Sequence, residues 1–143
     1  MTTNTYLNFK DGCEAAFLFY KSVFGGEFVH LSRFGEMPSD DNYQVPEADK
    51  NKIMHVSLPI GNTMLMGSDC GQQYEAQYRQ GNNFSISVQV DSRSEADKIY
   101  AALSEGGTAA MPMNQTFWGS YFGMLTDRFG INWMISYDEP PQS

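Results

Sequence analysis

The stretch DGCEAAFLFYKSVFGG, Asp11 to Gly26, decides the fold. Asp11 stands three residues before Glu14, the capping-box spacing that satisfies orphan backbone donors at a helix start. Ala16, Phe19, Tyr20, Val23 and Phe24 then recur at helical spacing and predict one continuous apolar face. Gly25-Gly26 ends the helix, because glycine enters the left-handed region without steric cost. The same grammar returns 81 residues later in SRSEADKIYAALSEGG, Ser92 to Gly107. Ser92 and Glu95 form the second capping box; Ala96, Ile99, Tyr100 and Leu103 form the second apolar face; Gly106-Gly107 is the second stop.

Working outward, each helix is flanked by strand-like segments. Tyr6 to Lys10 precedes the first and Phe84 to Asp91 the second. Glu27 to Phe34, Lys52 to Pro59 and Asn62 to Ser68 follow the first, with a tight turn at Gly61-Asn62. Thr108 to Met113, Tyr121 to Thr126 and Ile131 to Tyr137 follow the second, with a turn over Asp127 to Gly130. Each half therefore reads β-α-β-β-β, and the fold class is α+β. Module one spans about 4–68, a polar connector about 69–83, and module two about 84–138, all within one domain of 143 residues. Tyr74 to Gln80 in the connector has the character of a short helix. Glu36 to Asn51 is an acidic, Pro-containing loop whose paired acids, Asp40-Asp41 and Glu47-x-Asp49, read as solvated.

Composition bounds the function. A chain of this length buries roughly 70% of the surface its unfolded form exposes, so neither disulfide nor metal is needed for folding. Apolar residues are 41% and charged residues 18%, a globular composition. The formal net charge is −8, with 9 basic against 17 acidic residues and no basic cluster. Nucleic acid and anionic membrane surfaces are thus poor partners. The first twelve residues carry no signal-like apolar stretch, and the longest apolar run, Ala15 to Tyr20, is far below the ~20 residues of a spanning helix. A cytoplasmic location is expected. Cys13 and Cys70 stand far apart and read as reduced thiols. Cys13 falls in the first helical turn, where the dipole can lower a thiol pKa.

Tyr6-Leu7-Asn8-Phe9, Phe19-Tyr20 with Phe24-Gly25-Gly26-Glu27, Ile53-Met54-His55 and Phe117-Trp118-Gly119 carry a family resemblance. So does Phe122-Gly123 continuing through Asp127-Arg128-Phe129-Gly130 to Trp133-Met134-Ile135. Together with the paired modules, these segments resemble the vicinal-oxygen-chelate superfamily of glyoxalase I, bleomycin-resistance proteins and extradiol dioxygenases, and within it the PhnB-like branch. The resemblance implies that the tandem modules form a cupped mixed sheet with helices on its outer face, and that the chain pairs as a homodimer. The branch carries a demethylubiquinone-methyltransferase label, yet no Gly-rich loop opens a helix after a strand, as a methyl-donor site of that kind requires.

Metal-dependent members of the superfamily place His or carboxylate ligands on the first and last strands of the two modules. The corresponding residues are Tyr6 or Asn8, Met64 or Met66, Ser85 or Ser87, and Asn132 or Met134. Thioethers and neutral hydroxyls are weak ligands for a borderline divalent ion. No metal and no cofactor is expected. The other catalytic templates, a Gly-x-Ser-x-Gly elbow and a P-loop, are missing.

Strand alternation then defines candidate ligand contacts. In Met54 to Leu58, alternation separates His55 and Ser57 from Met54, Val56 and Leu58, so the first pair should face the cup. His55 reads either as a hydrogen-bonded member of a polar strand face or as a ligand contact and candidate general base, since imidazole titrates near neutrality. His30 reads as surface. In Phe84 to Asp91 the apolar set Phe84, Ile86, Val88 and Val90 should pack on the helices, leaving Ser85, Ser87 and Gln89 for the ligand. Met66 and Trp118 should supply the apolar body of the pocket. The expected function is binding of a small molecule without a metal. The rival is a metal- or base-dependent enzyme of the same superfamily, of lyase, dioxygenase or thiol-transferase type. A purely structural interaction module explains the polar strand faces poorly.

Overall fold

The computed structural model describes residues 1–38 and 44–140, so the paired acids Asp40-Asp41 lie outside the described residues. The chain divides into two compact units, Met1–Arg79 and Gln80–Ser143. Each holds one four-stranded mixed sheet built as a β-α-β-β-β module, the α+β arrangement that the sequence predicts. No helix among the described residues is long and apolar enough to cross a membrane.

In the first unit the elements are β1 (Thr5–Phe9), α1 (Cys13–Phe24), β2 (His30–Arg33), β3 (Ile53–Ile60), β4 (Thr63–Asp69) and a short helix α2 (Gly71–Tyr74). The sheet order is β1-β4-β3-β2, with β1 parallel to β4 and the other pairs antiparallel. Helix α1 buries Cys13, Ala16, Phe17 and Tyr20 against the sheet. Phe17 is the anchor: its ring meets Phe9 and Tyr20 edge-on at 6.4 and 5.6 Å. Burying such a side chain contributes about 1.5–3 kcal/mol. Gly67 of β4 makes the close approach possible, because a Cβ there would stand 2.6 Å from the Phe17 ring and 3.0 Å from the Leu7 carbonyl oxygen.

The start of α1 departs from the sequence reading. Gly12 occupies the cap position at φ +89°, and no side chain of the local sequence caps the helix. Asp11 Oδ1 instead accepts from the Gly12 N–H at 2.8 Å. The cap comes from β4: Asp69 Oδ1 accepts from Cys13 N at 3.0 Å, and Oδ2 accepts from Ile53 N at 2.8 Å. Glu14, the other half of the expected box, takes a two-pronged contact from Arg33 of β2, with Nη2–Oε2 at 2.6 Å and Nη1–Oε1 at 3.0 Å. Burial pushes the Cys13 thiol pKa up, and the Asp69 and Glu14 carboxylates push it further. The low-pKa reading of Cys13 is therefore corrected: desolvation and adjacent negative charge outweigh the helix dipole.

Three other local expectations change. In β3 the alternation is interrupted by a register shift opposite Ser32 and Arg33, so that Ile53 rather than Met54 is buried. Asp49 is not solvated; it is 1% exposed, accepts from Gln72 N at 2.9 Å and lies 3.3 Å from Lys52 Nζ. The connector's helical segment comes earlier than expected, as α2 and a 3-10 turn over Glu75–Gln77.

The second unit comprises β5 (Ile86–Gln89), α3 (Arg93–Ser104), β6 (Thr108–Gln115), β7 (Ser120–Thr126) and β8 (Asn132–Asp138), in the order β5-β8-β7-β6 with β5 parallel to β8. Here the Ser92 cap forms where the sequence places it, while Glu95 Oε2 reaches back to Asp91 N at 3.4 Å. Ser92 Oγ accepts from Glu95 N at 3.1 Å. Ala96 and Leu103 of α3 are buried, as are Leu125, Trp133 and Ile135 of the sheet. The β7–β8 turn is fastened by Asp127, whose Oδ1 accepts from Phe129 N and Ile131 N at 2.8 and 3.0 Å and whose Oδ2 accepts from Trp133 Nε1 at 2.9 Å. Phe84 lies before β5 and is 56% exposed, so it does not join the helix-packing set.

Candidate functional site

Gly67, which lies beneath Phe17, identifies the helix-side face of the first sheet. Residues in register with it, such as Val56, share that face, and their sequence neighbours point the other way. On that opposite face two rows cross the sheet. Tyr6, Met66, Ser57 and His30 are successive Cα partners in one row. Asn8 pairs with Ser68, and His55 with Ser32, in the next.

The imidazole of His55 joins the rows. Its Nδ1 lies 3.2 Å from Tyr6 Oη, and its Nε2 lies 2.9 Å from Ser57 Oγ. A neutral imidazole donates at one nitrogen and accepts at the other, so either tautomer completes a Tyr6–His55–Ser57 chain. Tyr6 and His55 are stacked, with centroids 5.6 Å apart and planes inclined by 26°. His30 stands beside them, its ring centroid 5.2 Å from that of His55 and its Nε2 3.2 Å from Ser32 Oγ. Desolvation by burial, with the neighbouring His30 adding to it, lowers the His55 pKa from the ordinary 6.5. The shift favours the neutral ring, which has one donor and one acceptor.

His55 and Ser57 lie on one face, with Met66 in register beside Ser57. Ser57 is buried, while His55 and Met66 are half-buried. Three residues escaped the sequence reading. His30, read as surface, is exposed yet belongs to the histidine pair; Tyr6 and Ser32 complete the hydrogen bonds. Alternation within β2 already places His30 and Ser32 on one face. What was missing is the register that brings this face beside His55, and a single strand does not reveal its partner.

The other expected contacts lie in the second unit. Gly123, beneath Tyr100 of α3, marks the helix side of that sheet. On its opposite face Ser87, Met134, Met124 and Met111 form one row of Cα partners, and Gln89, Ser136, Phe122 and Asn114 the next. Ser87 and Gln89 are exposed, and Ser85 is a half-buried residue preceding β5. Gln89 Nε2 donates to Asp138 Oδ2 at 2.6 Å, and Ser120 Oγ donates to Asp138 Oδ1 at 2.6 Å. Trp118, in the turn between β6 and β7, is 59% exposed and packs its ring edge-on against Phe122 at 6.0 Å. The apolar methionine row is a feature that the sequence reading missed, because three strands each contribute one member.

At the strand positions where the resemblance would put metal ligands, Tyr6 pairs with Met66 and Ser87 with Met134. Among the described residues no three His, Cys, Asp or Glu side chains come together as a group that could hold an ion. What the first sheet's face offers instead is a set of neutral hydrogen-bonding groups around two imidazoles.

Comparison with known proteins places the chain. A model of the 3-demethylubiquinone-9 3-methyltransferase family matches residues 2–136. The crystal structure of protein PA1353 from Pseudomonas aeruginosa is 38% identical, with a TM-score of 0.85 over 98% of this chain and 99% of that one. Protein YjdN of Escherichia coli K12 is 28% identical over 145 residues, covering 95% of both chains. A glyoxalase/bleomycin resistance protein/dioxygenase family enzyme from Burkholderia phytofirmans PsJN, 20% identical, shares the fold at a TM-score of 0.63 over 95% of this chain and 99% of that one. The fold is that of the glyoxalase/bleomycin-resistance/dioxygenase structural superfamily. The chain belongs to the 3-demethylubiquinone-9 3-methyltransferase family.

Proposed function

We propose that this chain is a small-molecule-binding protein that works without a metal, and that its ligand lies on the face carrying His55, Ser57 and Met66. The observation that carries the reading is the hydrogen-bonded chain Tyr6–His55–Ser57, with His30 beside it. A purely structural sheet face has no need of two adjacent imidazoles, one of them half-buried and hydrogen-bonded at both nitrogens. A site with an apolar body and a few convergent polar groups is what small-molecule recognition requires. In the second unit the same reading extends to Ser85, Ser87, Gln89 and Trp118 as ligand contacts on their own sheet and its flanking turn.

A thermal-shift screen of a small-molecule library tests this, because a ligand that binds only the native state raises the melting temperature. A hit should lose at least tenfold in affinity, ~1.4 kcal/mol, in His55→Ala. Unchanged affinity in a folded His55→Ala protein would remove the site from this face.

A second reading is favoured by the same hydrogen bonds. Oriented at both nitrogens by Tyr6 and Ser57, His55 would take a substrate proton through the hydroxyl that donates to it, which would make the chain a base-dependent enzyme of its superfamily. Turnover of a screening hit, lost in His55→Gln while binding persists, separates the enzyme from the binding protein.

A further inference from the structure

Charge is distributed unevenly over the first sheet. The chain carries 26 Lys, Arg, Asp and Glu residues, yet among the described residues none of them falls on the outward face of β1, β4, β3 and β2. The charged residues within these strands are turned to the helix side. Arg33 reaches Glu14 of α1, and Asp69 accepts from the backbone of Cys13 and Ile53. Lys10, just past the end of β1, is paired with Glu75 at 3.3 Å. The face opposite the helix carries the Tyr6 hydroxyl, the Met66 thioether and the imidazoles of His30 and His55, with the Ser32 and Ser57 hydroxyls buried on the same face.

Resting on the site proposed above, we infer that this face selects an uncharged, planar ligand bearing a hydroxyl or carbonyl group, and rejects anions and cations alike. Moving an ion out of water costs several kcal/mol unless a counter-charge meets it, and this face offers none. An anion is further disfavoured by the net charge of −8. A hydroxyl or carbonyl meets partners of both kinds: His55 engages Tyr6 and Ser57 with its two nitrogens, the hydroxyl that accepts from the ring keeps its donor, and both hydroxyls keep acceptor lone pairs. The stacked Tyr6–His55 pair and Met66 supply a flat, polarisable surface for a ring.

Three probes of one shape and different charge test the inference: benzyl alcohol, benzoate and benzylammonium, titrated into the full chain at pH 7.5 and followed by backbone amide chemical shifts. Benzyl alcohol should perturb the amides of β2, β3 and β4, with at least tenfold higher affinity than either ion. Its affinity should stay within twofold between about 0.05 and 0.5 M salt, where screening changes severalfold. Benzoate or benzylammonium binding this face as tightly as the alcohol would overturn the charge selection while leaving the site in place. Benzyl alcohol binding only elsewhere, or still perturbing this face unchanged in His55→Ala, would overturn the site itself. No shift on this face from any of the three probes would overturn the inference.

Discussion

Asp69 caps α1 from across the sheet: its Oδ1 accepts the hydrogen bond of Cys13 N at 3.0 Å while its Oδ2 holds Ile53 N at 2.8 Å. One buried carboxylate therefore satisfies the first turn of a helix and the first residue of β3 together. Each donor left unsatisfied in a buried site costs about 1–3 kcal/mol. Asp69→Ala should lower the unfolding free energy by about 2–4 kcal/mol, whereas Asp11→Ala should change it by about 0.5 kcal/mol or less. Urea denaturation of both variants checks this; equal effects would show that Asp11 shares the cap.

The histidine pair gives the site a pH dependence with a definite sign. Burial and the neighbouring His30 depress the His55 pKa in the folded protein. The other groups around the ring are the hydroxyls of Tyr6, Ser32 and Ser57. A depressed value means that the unfolded chain binds the proton more readily. Stability is therefore present in full above the ordinary 6.5 and is lost as pH falls through the folded value. Proton NMR titration of the His55 ring should give a pKa below 6.5, rising in His30→Ala. A value at or above the ordinary one in the wild-type chain would contradict the burial of this ring.

Metal content is the third expectation. Tyr6, Met66, Ser87 and Met134 are poor ligands for a borderline divalent ion, so the purified chain should carry well under one equivalent of zinc, nickel, manganese or iron. Elemental analysis giving about one ion per chain would overturn the metal-free reading. His55→Ala would then be the first variant to try for its removal.

Pairing of two chains is the fourth. Phe117 and Trp118 stand side by side on the β6–β7 turn, 98% and 59% exposed, with ring centroids 5.0 Å apart. Exposed aromatic pairs of this kind are enriched where protein surfaces meet. Light scattering at tens of micromolar should give the mass of a homodimer, and Phe117→Ser with Trp118→Ser should shift it toward the monomer. A monomer mass for the wild-type chain would end the proposal.

The parts of the fold legible in the sequence are those fixed by neighbours along the chain. Ser92 with Glu95 caps α3 as its spacing predicts, and the turn at Asp127 to Gly130 is read correctly, because the hydrogen bonds that define them join residues close in sequence. The cap of α1 was not legible, since its acceptor lies 56 residues away on another strand. His30 was passed over for the same reason: its neighbour His55 is reached only through the β2–β3 register. Ile53 took the buried place expected for Met54 because a register shift breaks alternation, and no local residue announces that shift. Half of the candidate site, His55 with Ser57, came from alternation alone; Tyr6 and His30 required the sheet.

The distinction between near and distant partners bears on how the chain folds. Asp127 holds Phe129 N, Ile131 N and Trp133 Nε1, all within six residues, so the β7–β8 hairpin closes a short loop whose turn is fastened locally. The β1–β4 pairing must instead join Tyr6 to Met66, enclosing α1, β2 and β3. Each doubling of loop length adds only about 0.6 kcal/mol, but the search for a distant parallel partner is slow. Amide protection in pulse-labelled refolding should thus appear in β7 and β8 before β1. Simultaneous protection would mean that hairpin closure gives no head start, and that Asp69, which waits on the distant partner, sets the pace for the first unit.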